Sequence, residues 1–293
     1  MSRFLDASRA GALRLCFIVL TAYLLPLSAC SSEDPPTSTL PPVDSTNTTD
    51  SIAYADPVTL CTIQDARLTE ISGIAPSRLH GGIYWLHNDS GGEVRLFAVD
   101  TTGVTIAACT LDGAVNRDWE DLASVVLNTT AWLYVGDIGD NEKKYPSVTI
   151  YRIEEPALQP GWRDSALTAY AEKATFRYPD GAHDCEALMV DPRDGAIVLL
   201  EKNGTSCAVY SALWPGNGGD TELQRIAVFR LPFEFSFWRL VTGADLHPAS
   251  HRVLLRTYNA VLEYEGLSQS PLSALFDSTA ARIINTPGLT QPE

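Results

Sequence analysis

Carboxylates are the residues through which this chain could do chemistry. Glu70, Asp118, Glu120, Asp184, Glu186 and Asp245 stand at the same stage of four similar segments, each beside or within the first apolar run. Acids brought together repel unless a proton or a cation sits among them, so converging carboxylates point to cation binding. In Gly136-Asp137-Ile138-Gly139-Asp140-Asn141 an apolar run ends in two carboxylates and an amide oxygen, with glycines permitting tight turns. Hard oxygen donors at short spacing suit Ca²⁺, although the EF-hand spacing Asp-x-Asp-x-Asp-Gly is absent. The expected metal set is Glu120, Asp121, Asp137, Asp140, Asn141 and Glu186, with calcium as the cofactor. Glu70, Asp89, Asp118, Asp184, Lys202, Arg239, Asp245 and Arg256 are the expected channel and ligand residues. Asp is also a common turn former, so turn capping or solvation is the competing role for each acid taken alone.

Signatures of catalysis are sparse. His87-Asn88-Asp89-Ser90-Gly91-Gly92 superficially resembles the nucleophile loop of chymotrypsin-like proteases, but no His and Asp partners stand in that order. A Walker loop, a Gly-x-Ser-x-Gly elbow and His-Glu-x-x-His are all absent. The five histidines are scattered without ligand spacing. His87, near Asp89, and His183, beside Asp184, are the acid–base candidates, and a lone histidine is more often structural. Whether the chain is an enzyme is left open.

The elements that must position these residues repeat. Each of the four segments runs from an acidic or small-residue start through a short apolar strand, a turn, a second strand, another turn and a third strand. Ser72, Glu120, Glu186 and Thr242 mark equivalent points, separated by 48, 66 and 56 residues. Such spacing is near or somewhat above the ~40 to 50 residues of one propeller blade, and a sandwich would not repeat a whole three-strand pattern. The reading is an all-β β-propeller of six or seven blades, with segments 158–181 and 214–240 supplying further strands or a less regular blade. First strands line a propeller channel, which is why the acids at their starts are expected to face its axis or mouth. The chain stops at Gln291-Pro292-Glu293, so the last blade is expected to be incomplete. An open array would expose strand edges and lack its capping contacts.

Composition bounds the partners and the compartment. The chain has 293 residues, a formal charge of −15 and 45% hydrophobic residues, enough apolar material for a core. The acidic balance argues against nucleic acid, which needs a basic face. Arg3, Arg9 and Arg14 precede an apolar run, Leu15 to Leu27, too short for a comfortable transmembrane helix. The run ends in Leu27-Ser28-Ala29-Cys30, which resembles the bacterial lipobox. Residues 1–29 are therefore expected to be a lipoprotein signal peptide, Cys30 the lipidated residue, and 30–57 a disordered acidic tether rich in Pro, Ser and Thr. The propeller occupies 58–293. Localisation follows as the cell envelope, lipid-anchored and extracytoplasmic, and the outer membrane if the cell is Gram-negative, because Ser31 is not the Asp that retains some lipoproteins. A monomer is expected. In that oxidising setting Cys61, Cys109, Cys185 and Cys207 read as two disulfides, Cys61 with Cys109 and Cys185 with Cys207, because each pair brackets one repeat and closes a short loop. A four-cysteine zinc site is the competing reading, without a Cys-x-x-Cys pair to support it.

The motifs together carry a resemblance. Ser72-Gly73-Ile74-Ala75, His87-Asn88-Asp89-Ser90-Gly91, Asp118-Trp119-Glu120-Asp121-Leu122-Ala123, the Gly136 to Asn141 string, Tyr151-Arg152 with Glu155-Pro156, Asp184-x-Glu186-Ala187-Leu188, and Gly243-Ala244-Asp245-Leu246 through Arg256-Thr257-Tyr258 span residues 67–266. This combination resembles a largely uncharacterised family of secreted, lipid-anchored bacterial β-propeller proteins. It is more distantly similar to phytase-like, strictosidine-synthase-like and paraoxonase-like propellers, several of which hold Ca²⁺ at the channel. The resemblance implies fold and export. The expected function is a lipid-anchored head that binds calcium and a protein, glycan or small-molecule ligand. The alternative is a calcium-dependent hydrolase in which an ion on Asp137, Asp140, Glu120 and Glu186 polarises an ester, lactone or phosphoester, with Lys202, Arg239 and Arg256 meeting a phosphate.

Overall fold

In a computed structural model the described residues are 58–265, 271–276, 280 and 282–285. The expectations for the leader 1–29, for Cys30 and for the tether 30–57 lie outside them. Among the described residues no helix is long and apolar enough to cross a membrane.

Four sheets follow one another along the chain, each built on an antiparallel meander, and two of them carry a parallel edge strand. The first blade is built on β1 (Ile71–Pro76), β2 (Ile83–Asn88), β3 (Arg95–Asp100) and β4 (Thr105–Asp112), the second on β5 (Trp119–Leu127), β6 (Thr130–Asp137) and β7 (Ser147–Glu154). The chain then lays β8 (Ser165–Tyr170) parallel to β4, back on the first blade, before β9 (Glu172–Arg177) completes the second. The third blade has β10 (Cys185–Val190), β11 (Ile197–Glu201), β12 (Cys207–Ala212) and β14 (Gln224–Phe229), and on the way β13 (Asp220–Glu222) joins β9 in parallel. The fourth has β15 (Val241–Leu246), β16 (Val253–Thr257), β17 (Ala260–Tyr264) and β18 (Arg282–Asn285). Strands β1, β5, β10 and β15 pack on one another in sequence, which makes the architecture a β-propeller.

Two expectations are corrected. The described residues form four blades where six or seven were expected. Of the two roles expected for segments 158–181 and 214–240, further strands or a less regular blade, the structure shows the first: they supply the outer strands β8, β9, β13 and β14 to sheets already begun. The last blade is not short, since β18 pairs with β17 and gives that sheet four strands.

The cores lie between blades. Trp85, Cys109, Leu133 and Tyr151 fill the gap between first and second, Tyr134, Phe176, Cys185 and Tyr210 that between second and third, and Met189, Cys207, Leu255 and Phe276 that between third and fourth. The expected disulfides are absent for a reason visible here. Cys185 and Cys207 face opposite sides of the third sheet. Cys109 faces the second blade, whereas Cys61 packs beside Tyr84 and Val99 on the other side of the first. A disulfide needs Cα atoms within about 7 Å and converging Cβ vectors. All four cysteines are free thiols.

Candidate functional site

One device is repeated four times at the same end of the propeller. In every blade the first strand slips register against the second near its start, between Ile71 and Gly73, Trp119 and Asp121, Cys185 and Ala187, and Val241 and Gly243. The residue stepped over in each case is Ser72, Glu120, Glu186 or Thr242. A bulge re-aims a side chain and leaves its residue unpaired in the ladder. These are the four points whose spacing marked the repeat in the sequence.

A second repeated contact closes the mouth. The backbone N–H of the residue after each second strand reaches the carbonyl of the residue entering the first strand: Asp89 to Glu70, Ile138 to Asp118, and Lys202 to Asp184, at 2.8, 3.2 and 2.8 Å. Asp89, Ile138, Lys202 and, by register, Tyr258 are therefore equivalent positions around the rim.

The second blade concentrates acid there. Ligand oxygens of Asp89, Asp118 and Glu120 all lie within 4.8 Å of one another. Glu120 is buried, and Ser72 Oγ donates to its Oε2 at 3.2 Å. A methyl group on Gly139 would overlap both Glu120 Oε1 and Asp118 Oδ2, so only glycine lets that loop close over the acids. Burial, then Glu186, Asp89 and Asp118, push the Glu120 carboxyl far above its ordinary range. Burial and Asp89 push Asp118 up to about 6. Glu186, also buried, is raised by burial even though the Lys202 ammonium sits on its Oε1 and opposes the rise. Burial works against the Lys202 charge, but Glu186 outweighs it and holds the ammonium protonated. Lys202 Nζ also lies 5.6 Å from the centre of the Tyr258 ring.

The other expected metal residues are placed differently. Asp121 accepts backbone N–H groups from Leu122 at 2.8 Å, from Leu188 of the third blade at 2.9 Å and from Ala244 of the fourth at 3.3 Å. It ties three blades together, and burial pushes it up to about 8. Asp137 Oδ1 accepts the Asp118 N–H at 2.8 Å, with Arg117 Nε 3.7 Å away. Asn88 does the same work one blade earlier, taking the Thr69 and Glu70 N–H groups. Asp140 accepts from the Tyr145 N–H at 2.6 Å and gives its own N–H to Asp184 Oδ1 at 2.9 Å, while Asn141 is exposed. The Gly136 to Asn141 string is thus a network of backbone caps under the acid cluster.

Among the expected channel residues, Asp89, Asp118 and Lys202 gather at the mouth, and Asp184 braces it from beneath. Glu70 is exposed and engaged there through its backbone N–H and carbonyl, and Asp245 Oδ1 caps the Leu246 N–H at 2.9 Å. Arg256 is half-buried on β16 opposite Gly243. Arg239 is buried and donates to the carbonyls of Phe233, Glu234 and Gly204, so it clamps loops.

Of the two histidines, His87 has no exposed surface. Its Nδ1 lies 2.9 Å from the Asn88 carbonyl, its ring meets Trp119 edge-on at 5.5 Å, and burial lowers its pKa. His183 is held between Asp180 at 3.0 Å and Glu201 at 3.1 Å, with Tyr210 Oη at 2.8 Å. The Glu186–Lys202 pair and the cap made by Asn88 were not foreseen. Their signal was the register equivalence of Asp89 with Lys202 and of Asn88 with Asp137.

No protein-family model matches the chain, and no curated protein matches its sequence. Solved structures do overlap with it. The PQQ-bound form of an aldose sugar dehydrogenase from Streptomyces coelicolor is 10% identical with a TM-score of 0.37, over 75% of this chain and 81% of that one. A nidogen/laminin complex is 12% identical with a TM-score of 0.37, over 76% of this chain and 66% of that one. The major Malassezia sympodialis allergen Mala s 1 is 11% identical, also at 0.37, over 67% and 60%.

Proposed function

We propose that the chain is an extracytoplasmic, lipid-anchored β-propeller whose mouth binds a divalent cation, calcium, and presents it to a ligand. The observation that carries this reading is the convergence of Asp89, Asp118 and Glu120 within 4.8 Å. Among the described residues none of the three has an ion-pair partner, whereas Glu186 beside them is neutralised by Lys202. The donor set fits the ion: all oxygen, anionic, and cradled by a glycine. Three carboxylates would leave about three to five of the six to eight positions that calcium takes for water or ligand oxygens. Burial first, and then the neighbouring acids, lift Glu120 and Asp118, so without a cation the cluster holds protons.

The test is a calorimetric titration of the full-length protein with CaCl₂ at pH 7.5. Wild type should bind one ion with release of protons, and Asp118→Asn should bind at least about tenfold more weakly, a loss of roughly 1.4 kcal/mol. No heat and no proton release would end the reading.

Hydrolysis of an ester, lactone or phosphoester is favoured by one observation. Glu120, held protonated, stands beside Glu186, which the Lys202 ammonium keeps closer to ionisation, and carboxyls pushed apart in this way serve as acid and base. Turnover of aryl esters, lactones or phytate that is lost in both Glu120→Gln and Glu186→Gln would establish it, and no turnover in any class would end it.

A further inference from the structure

We propose that the rim beside the carboxylates is a docking platform for a basic partner segment, one carrying Lys or Arg side chains next to apolar ones. Residues 232–239 read Pro-Phe-Glu-Phe-Ser-Phe-Trp-Arg, and Phe235, Phe237 and Trp238 are exposed by 57, 53 and 41%. Exposed apolar residues scattered singly need no explanation, but three on one short loop make a patch of the kind that marks interaction sites.

The loop is held rigid from beneath. The buried Arg239 guanidinium donates to the Phe233 carbonyl at 3.0 Å, to the Glu234 carbonyl at 2.7 Å and to the Gly204 carbonyl. A Cβ on Gly204 would stand 3.0 Å from Ser236, so the aromatic loop is seated directly on the loop that follows Lys202. Phe237 stacks on Tyr258 at 4.5 Å with the rings 3° from parallel, and Phe235 meets Trp238 edge-on at 4.9 Å. A buried arginine committed to the carbonyls of an exposed loop fixes the rings before any partner arrives, which lowers the ordering cost of binding.

Charge says what the partner is. Tyr258 occupies in the fourth blade the rim position that Lys202 holds in the third and Asp89 in the first. The Lys202 ammonium already sits between a carboxylate, Glu186, and a ring, Tyr258. The molecule thus displays, in its own residue, the contact that an incoming ammonium or guanidinium would repeat along the rim, where Glu234 is also exposed. A net charge of −15 attracts a cationic partner and repels an anionic bilayer or polyanion. The platform does not depend on a bound cation, and its test is run in EDTA so that it succeeds or fails apart from the calcium reading.

The experiment is fluorescence anisotropy of a labelled peptide of alternating Lys and Phe, and of its counterpart with Glu for Lys, against the full-length protein. The Lys–Phe peptide should bind at least about tenfold more tightly than the Glu–Phe peptide and weaken about tenfold between roughly 50 and 500 mM salt. Trp238→Ala, whose ring is exposed, should keep the wild-type melting temperature within about 2 °C and lose about tenfold in affinity, and Phe237→Ala should behave alike. Equal binding of the two peptides, or wild-type binding by both alanine variants, would overturn the proposal. Binding of phosphatidylglycerol vesicles or of maltoheptaose in place of the Lys–Phe peptide would overturn it too, in favour of a membrane or a glycan.

Discussion

Glu120 and Asp121 are adjacent acids, both buried, in the same strand of the same blade, and they have opposite destinies. The bulge steps over Glu120 and turns it into the mouth, where its neighbours are Asp89, Asp118 and Glu186 and its one neutral donor is Ser72. Asp121 resumes the ladder and points to the axis, where it gathers N–H groups from its own strand and from two other blades. The residue type is the same in kind; what differs is whether the partners are fixed dipoles or other charges. Fixed dipoles make a structural hub. Charges of one sign make a site that asks for a cation.

The largest effect should come from the hub. Asp121→Ala strands N–H groups in three blades, and each buried orphan costs about 1–3 kcal/mol. Loss of the cooperative transition, or a melting temperature lower by more than about 10 °C, is expected by calorimetry. Asp121→Asn, which keeps an acceptor oxygen, should recover much of it. If both variants melt like wild type, Asp121 is no hub and the contrast with Glu120 disappears.

Next in size is pH. Glu120, Asp121, Glu186 and Asp118 all hold protons more tightly folded than an ordinary carboxylate does unfolded, Asp121 to about 8 and Asp118 to about 6. The folded state therefore carries the extra protons, and stability is lost as pH rises from the unfolded carboxylate range through the raised values. In EDTA the melting temperature should fall by about 5 °C or more between pH 5 and pH 8.5. Millimolar Ca²⁺ should flatten the slope by taking the protons' place at the mouth while leaving the share due to Asp121. A melting temperature that rises with pH in EDTA would contradict the electrostatics of both regions.

The smallest effect concerns the thiols. Among the described residues Cys109, Cys185 and Cys207 are buried and Cys61 is half-buried, so of these four a thiol reagent should label at most Cys61 in the native protein and all of them in denaturant. Reductant should leave the melting temperature unchanged within about 1 °C. A drop on reduction would mean that the thiols are paired after all.

Much of this was legible in the sequence. The spacing from Ser72 to Glu120, Glu186 and Thr242 picked out the bulge in every blade, because a bulge keeps its place in the repeat even when its side chain changes from hydroxyl to carboxylate. Blade number was not legible: β8 and β13 look like independent strands, and only the fold reveals that they lie parallel on the edges of earlier sheets. The cysteine pairing failed on facing. Strand periodicity puts alternate residues on opposite faces, and neighbours such as Cys185 and Cys207 end in different cores. Acids and glycines such as those of the Gly136 to Asn141 string serve a calcium loop and a set of caps equally well, and the cap contacts in the structure, from the Asp118 and Tyr145 N–H groups to Asp137 and Asp140, carry no sequence signature of their own.

The central claim is that the mouth needs a cation, and the melting temperature of wild type and Glu120→Gln in excess EDTA and then in millimolar Ca²⁺ tests it most directly. An ion at about 100 times its dissociation constant adds about 2.7 kcal/mol, which for a domain of this size raises melting by roughly 5 to 10 °C. The account predicts that rise for wild type and its loss in Glu120→Gln, which in EDTA melts close to wild type because Glu120 already holds a proton there. A wild-type transition indifferent to calcium, or an equal rise in both proteins, would contradict it.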